Sequence, residues 1–329
     1  MTYKAWFVDA PGARFEERES AHSVPGERQV LVRVAAAGVN PLDTKIRAGA
    51  AAHARQPLPA VLCVDMAGTI AEAGPGAGGF RVGDEVYGMA GGVGGLQGTL
   101  AEFVTVDIDL VAHKPKNLTM RQAAALPLSV ITAWEGLVDR ANVQEGQAVL
   151  IHAGAGGVGN IAIQIAQAFG ASVFATVSAD KNKVVEDLGA YAIDYRSTTV
   201  EEYVEACTQG RGFDVVYDTV RGATLDASFV SVRRYTGRVL SSLGWGTHSL
   251  APLSFRGASY SGVFTLLPLL TGENRAPHGA ILRRVAAMVE AGRVTPFLSE
   301  ERFSPANLEA AFAQVAAGSF GKVVVEIGS

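Results

Sequence analysis

The stretch that most constrains this chain is residues 149–170. It begins Val149-Leu150-Ile151-His152-Ala153-Gly154-Ala155-Gly156-Gly157-Val158-Gly159 and closes, after a run rich in isoleucine and alanine, at Gly170. The apolar residues 148–151 read as a buried strand. Val158, Ile161, Ile165 and Ala168 recur three and four apart, the spacing of one helix face, and Gly170 stands where a last turn usually ends. Between strand and helix, Gly154, Gly156 (or Gly157) and Gly159 offer three things. One glycine makes a tight turn, one lets backbone approach a pyrophosphate, and one lets the helix pack close to the strand. Phosphates then meet free N–H groups at the positive end of the helix, here around Ala155, Gly156, Gly157 and Val158. A glycine-rich turn alone fits any α/β protein. A second apolar run at 172–177 completes a βαβ unit, so the stretch predicts a dinucleotide site.

At 329 residues the chain is long enough for two domains with substantial cores. A net charge of -4 without a basic stripe argues against a nucleic-acid partner. No apolar run approaches the ~20 residues of a membrane span, and the start, Met1-Thr2-Tyr3-Lys4-Ala5-Trp6, lacks a signal-peptide core, so a cytoplasmic location without membrane contact is expected. The two cysteines, Cys63 and Cys207, fit free thiols in a reducing compartment and cannot form a four-cysteine zinc site.

Residues 1 to about 115 read mostly as strand: 29–35, 68–73, 85–87 and 101–106, separated by glycine-rich loops at 74–79 and 88–98. From Thr119 helices alternate with short apolar strands, among them 214–218 and 237–242, which predicts a parallel sheet covered on both faces. A helix ending near Gly292 and another begun by Ser304-Pro305 follow. The closing run 322–327 reads as a strand that pairs with the N-terminal sheet. The expected fold class is therefore α/β: a mostly-β domain made of residues 1–118 and 270–329, and a doubly wound parallel-sheet domain at 119–269.

Several motifs, in order, carry a resemblance over nearly the whole chain: Gly38-Val39-Asn40-Pro41-Leu42-Asp43-Thr44-Lys45-Ile46-Arg47-Ala48-Gly49, Val82-Gly83-Asp84-Glu85-Val86, Leu128-Ser129-Val130-Ile131-Thr132-Ala133-Trp134-Glu135-Gly136-Leu137, the glycine turn, Asp194-Tyr195-Arg196 and Gly321-Lys322-Val323-Val324-Val325. The chain resembles the medium-chain dehydrogenase/reductase superfamily, in particular its zinc-independent quinone oxidoreductase (zeta-crystallin-like) branch. The resemblance implies a GroES-like catalytic domain, built from both chain ends, and a Rossmann domain that binds NADPH. Where zinc enzymes of the superfamily carry a cysteine and a His-Glu pair, this chain has Asn40 and Val64-Asp65. Asn is a poor zinc ligand, and Cys63 with Asp65 cannot supply three, so no metal is expected. Cys63 reads as a buried small hydrophobe.

At the end of the second strand stand Val177-Ser178, with Asp180 two residues further and Lys181, Lys183, Tyr195 and Arg196 nearby. Cations and a phenol suit the 2′-phosphate of NADPH, although the lysines also fit a solvated first turn. The resemblance assigns Ser178, Lys181 and Tyr195 to that phosphate. It assigns Thr132, Ser242, Leu243, Val263, Phe264 and Lys322 to the nicotinamide end. It places Asn40 in the catalytic cleft, and Lys45 at a position where many relatives carry a tyrosine. Lys45 reads either as an oxyanion donor or as a surface lysine, and Asp43 with Arg47 as a structural ion pair. The expected reaction is zinc-independent reduction of quinones by NADPH. The alternatives are an enone or 2-alkenal C=C reductase using the same site, and an NADPH-binding structural or sensing protein with little turnover. A homodimer through an edge strand at 259–267 is also expected.

Overall fold

The computed structural model describes residues 2–328. The chain divides into two compact units, one made of the chain up to Ile131 together with the chain from Leu266 onward, the other of Thr132–Thr265. Sequence alone placed these divisions near 118 and 270. Helix Met120–Ala124 packs on strands Gln29–Val39 and Asp65–Ala73, and Leu270 lies against Gly94, which draws both segments into the first unit.

The first unit is built of antiparallel sheets. A three-stranded sheet pairs Thr2–Val8 with Glu16–Ala21 and with Ala60–Val61. A six-stranded sheet runs from Val323–Glu326 through Gln29–Val39, Asp65–Ala73 and Glu85–Met89 to Val111–His113, with Phe103–Asp107 also paired to Gln29–Val39. The closing strand does pair with the N-terminal sheet: Val324 stands opposite Gly38, and Gly38 opposite Asp65 on the other side. The first unit is thus discontinuous in sequence. The amphipathic helix Ala276–Glu290 packs on Val111–His113, and the buried Tyr87 hydroxyl donates to its Leu282 carbonyl at 2.7 Å.

The second unit holds a six-stranded parallel sheet in the order Tyr191–Asp194, Ser172–Val177, Ala148–His152, Val215–Asp218, Arg238–Ser241, Ser259–Gly262. This is the doubly wound order, with strand succession reversing on either side of Ala148–His152. Leu150 and Val216 face each other in register at its centre and belong to a core with Phe213, Leu225 and Phe229. Full burial of each such side chain is worth roughly 1.5–3 kcal/mol. The last strand is shorter than the expected 259–267: it ends at Gly262, and helix Leu267–Thr271 follows.

Candidate active site

Apart from Thr132, which lies on helix Pro127–Trp134, the cofactor residues expected in the second unit lie at the carboxyl ends of its strands or just beyond, the edge where ligands of such sheets bind. Strand Ala148–His152 leads into Ala153, held at φ +56°, and then into helix Gly157–Ala168. Thr176 on the neighbouring strand fastens this turn. Its carbonyl accepts from Gly154 N at 3.1 Å, its hydroxyl accepts from Ala153 N at 3.3 Å, and the hydroxyl is bonded to His152 Nδ1 at 3.0 Å. Burial pushes His152 down to about 4, against the pull of Asp218, so the ring is neutral at pH 7.

The glycines serve close approach. A Cβ on Gly159 would lie 2.2 Å from the Ala153 carbonyl oxygen, and one on Gly154 would lie 2.5 Å from Ala175 Cβ. Gly156 caps the helix and carries no side chain, so the cap residue offers nothing to the first-turn amides, and Gly156 and Gly157 are exposed. Open amides at the end of a three-turn helix fit a pyrophosphate. The residues present therefore fit a dinucleotide cofactor.

Ser178 begins the short helix Ala179–Lys181 at the end of the second strand. The Asp180 carboxyl is held below its usual range, first by a hydrogen bond from Ser178 and then by the charges of Lys181 and Arg196. The Arg196 guanidinium lies 5.7 Å from the centre of the exposed Tyr195 ring. The structure thus places Ser178, Lys181 and Arg196 around Asp180, with Tyr195 against Arg196. Thr132 is buried on helix Pro127–Trp134: its hydroxyl accepts from Thr265 Oγ1 at 3.2 Å, and its carbonyl accepts from Tyr217 at 2.8 Å. The amides of Ser242, Leu243 and Val263 are given to Asp218 O, Ser241 Oγ and Ser241 O. Phe264 meets Trp245 edge to face at 6.1 Å.

In the first unit, strand Gln29–Val39 delivers Asn40 to the start of helix Pro41–Arg47. Asn40 is buried, and its Nδ2 donates to Asp65 Oδ2 at 3.0 Å. Lys322, brought in by the closing strand, donates from Nζ to Asn40 Oδ1 and to Asp65 Oδ2, the latter at 3.0 Å. Asp65 Oδ1 accepts from Leu128 N at 2.8 Å. Asp43 is fully buried alongside. One of its oxygens accepts from Asn40 N at 2.7 Å, while Oδ1 has no hydrogen-bond partner. Burial pushes the Asp43 carboxyl up to about 7; the Asn40 amide pulls it back and the Asp65 charge adds to the rise. Burial likewise raises the Cys63 thiol, with further upward pushes from Asp43 and Asp65.

This cluster corrects one expectation. Asp43 and Arg47 do not form an ion pair. Asp43 turns inward to the start of its own helix, whereas Arg47 donates to the Ala13 carbonyl and pairs with Glu309 at 2.7 Å. Lys45 is half-buried on the same helix, and its charge adds to the effect of burial in disfavouring protonation of His53. Sequence reasoning treated Asp65 only as a missing zinc ligand. A carboxylate inside the apolar run Leu62-Cys63-Val64-Asp65-Met66-Ala67 was a legible signal, because a fully buried carboxylate needs a partner.

Residues 26–116 match the alcohol dehydrogenase GroES-like domain, and residues 188–325 match the family described as zinc-binding dehydrogenase. A 2-methylene-furan-3-one reductase of Solanum lycopersicum is 36% identical, over 98% of this chain and 78% of the relative. The chain belongs to the medium-chain dehydrogenase/reductase superfamily. Within it, a chloroplastic NADPH-dependent alkenal/one oxidoreductase of Arabidopsis thaliana is 35% identical, over 98% of this chain and 79% of its own length. A solved alcohol dehydrogenase superfamily protein from Novosphingobium aromaticivorans superposes with a TM-score of 0.97 at 52% identity, covering 99% of this chain and 100% of the other. The protein is accordingly an oxidoreductase with a GroES-like and a Rossmann-like domain, and its relatives use NAD(P)H. No helix among the described residues is long and apolar enough to cross a membrane.

The name of the second family raises zinc. Among the described residues, no group of three or more His, Cys, Asp or Glu side chains is placed to hold a metal ion. Asp65, the most connected acid of the cluster, already accepts from Asn40, Leu128 and Lys322. The donors present do not fit zinc.

Proposed function

We propose that this superfamily member is an NADPH-dependent reductase of carbonyl-conjugated C=C bonds, the enones and 2-alkenals. Quinones are its second acceptor class, because a benzoquinone presents the same conjugated unit. The observation that carries the cofactor half is the gathering, on one sheet edge, of an open-amide glycine turn and the group Ser178, Lys181, Tyr195 and Arg196. In this reading residues 155–158 hold the pyrophosphate, and Ser178, Lys181 and Tyr195 hold the 2′-phosphate, with Arg196 and Lys181 offsetting the Asp180 charge. Thr132, Ser242, Leu243, Val263 and Phe264 border the nicotinamide end, which supplies a hydride when NADPH is bound. The acceptor half is supported by the substrates named for the furanone and alkenal reductases. The protein works as a cytoplasmic homodimer.

The test is NADPH oxidation at 340 nm with a simple enone, a 2-alkenal, a benzoquinone and a naphthoquinone, with NADH in parallel. The reading expects turnover with the enone and alkenal and a preference for NADPH of roughly 10-fold or more, equivalent to about 1.4 kcal/mol. Equal use of NADH removes the 2′-phosphate assignment. NADPH binding without turnover on any acceptor favours the structural or sensing alternative.

A further inference from the structure

The cofactor reading gives Ser178 to a 2′-phosphate, yet the structure already gives its hydroxyl to Asp180. Strands Ser172–Val177 and Tyr191–Asp194 end in register, Val177 opposite Asp194, so Ser178 and Tyr195 leave the sheet side by side. The Tyr195 amide ties them together by donating to the Val177 carbonyl at 3.2 Å. The Lys181 amide then donates to the Ser178 carbonyl at 2.8 Å, closing the one-turn helix Ala179–Lys181 that brings Asp180 onto the buried Ser178. Arg196 completes the group: its guanidinium lies 5.7 Å from the centre of the Tyr195 ring and is held above its ordinary range first by the Tyr195 hydroxyl, then by the charges of Asp180 and Asp194. The two acids differ in what holds them. Asp194 belongs to its own turn, accepting from the Ser197 hydroxyl at 2.7 Å and from the Arg196 amide at 3.1 Å. Asp180 is exposed and is held through the Ser178 hydroxyl and its own amide.

We infer that Asp180 is a specificity-determining residue of the nucleotide site: it competes with the 2′-phosphate of NADPH for the Ser178 hydroxyl and accepts the 2′-hydroxyl of NADH. The inference rests on the reading of Ser178, Lys181 and Tyr195 as the 2′-phosphate contacts. A serine hydroxyl has one hydrogen to donate, whereas a carboxylate offers about four lone-pair sites. With a 2′-phosphate as its partner, Ser178 must leave Asp180, and Lys181 and Arg196 must balance two anions in place of one. With the 2′-hydroxyl of NADH as the partner, Ser178 keeps its bond and Asp180 accepts a second one, the contact by which an acid near such a strand end holds a ribose. The carboxylate therefore narrows the preference for NADPH that the surrounding cations create. Repulsion of a phosphate would come from Asp180 and Asp194 alike. Competition for the hydroxyl is peculiar to Asp180, because Ser178 is bonded to it.

Asp180→Ala removes the competitor from an exposed turn and should melt within about 2 °C of the wild type. Fluorescence titration with NADPH and with NADH, in the absence of any acceptor, reads the two Kd values directly. The expected result is a ratio of the NADH Kd to the NADPH Kd about tenfold above that of the wild type, because Ser178 is released to the phosphate and the ribose loses an acceptor. Ser178→Ala supplies a second arm. It should weaken NADPH about twofold in the wild type, where the hydroxyl is contested, and about tenfold in the Asp180→Ala background, a non-additivity that a purely electrostatic Asp180 would not produce. A ratio in Asp180→Ala within about twofold of the wild type overturns the inference, and so does an additive cycle. Lys181→Ala separates the inference from its foundation. Weakened NADPH binding in Lys181→Ala beside an unresponsive Asp180→Ala refutes the inference alone, whereas unchanged NADPH binding in Lys181→Ala refutes the 2′-phosphate reading and the inference with it.

Discussion

Alanine substituted in the glycine turn at two places separates packing from binding. At Gly159 the new Cβ would meet Ala153 O at 2.2 Å, Ala153 C at 2.9 Å and Gly154 Cα at 3.0 Å, all backbone atoms. Ala153 cannot retreat easily, since it sits at φ +56° with its amide on Thr176 Oγ1. The start of the helix must move by about 1 Å to restore contact distance, at an overpacking cost of roughly 1–3 kcal/mol. That corresponds to a fall in Tm of several degrees. The same displacement carries the first-turn amides off their target, so NADPH affinity should drop about 10- to 100-fold. At Gly156 the new Cβ would lie 3.2 Å from Ala153 O, and the backbone is at φ -77°, ψ 168°, open to any residue. Gly156→Ala should therefore melt within about 2 °C of the wild type. Its methyl nevertheless stands on the exposed side of the turn and should weaken NADPH about 10-fold. Differential scanning fluorimetry and nucleotide fluorescence titration read the two quantities independently. If Gly156→Ala binds NADPH as tightly as the wild type, the turn is not the phosphate cradle.

The raised Asp43 carboxyl makes a statement about stability. With a folded value of about 7 and an ordinary unfolded one near 4, the folded chain holds a proton there that the unfolded chain has released, so this group's contribution is greatest below pH ~4 and is lost as pH rises to 7. Asp43→Asn removes that titration, and its Tm relative to the wild type should rise between pH 5 and pH 8; a flat difference contradicts a protonated Asp43. Tyr217→Phe strips the buried Thr132 carbonyl of its 2.8 Å donor and should cost about 1–3 kcal/mol in urea unfolding without moving the Kd for NADPH. In strand Ser259–Gly262 the amides of Ser259 and, just beyond, Val263 are bonded inward to Gly237 and Ser241, which leaves the Tyr260 amide on the outer edge of the sheet. The wild type should sediment at twice 34.3 kDa and Tyr260→Pro, which deletes an outward N–H, as a monomer; a monomeric wild type counts against the edge-strand dimer.

The second unit was the more legible in sequence because its signals are local. Strand, glycine turn and helix lie within 22 consecutive residues, and Ser178 falls at a strand end that a hydrophobic run marks directly, whereas Tyr195 stood out only in the motif Asp194-Tyr195-Arg196. The fastening of the turn by Thr176 was not legible, since it depends on which strand lies beside which. The first unit's cluster was legible only in parts. Asn40 and Lys322 each stood out in a motif, but their meeting required the pairing of the closing strand with Gln29–Val39. Asp43 and Arg47, four apart on one helix, look like a pair by spacing, yet burial sends one inward and Glu309 claims the other. Local spacing ranks candidate partners; the fold decides among them.

The pairing of the last strand with an early one also sets a clock on synthesis. Asp65 and Lys322 lie 257 residues apart, Asn40 and Lys322 282. At 5–20 residues per second, roughly 13–50 s separate the emergence of Asp65 from that of its ammonium. Throughout that interval the nascent first unit lacks both the strand that closes its sheet and the ammonium that pairs with Asp65, while the second unit, contiguous in sequence, is completed before Lys322 is made. Without Lys322 and Val323–Glu326 the first unit would lose the strand that pairs with Gln29–Val39 and the ammonium on Asp65, while every strand of the second unit's sheet would still be present.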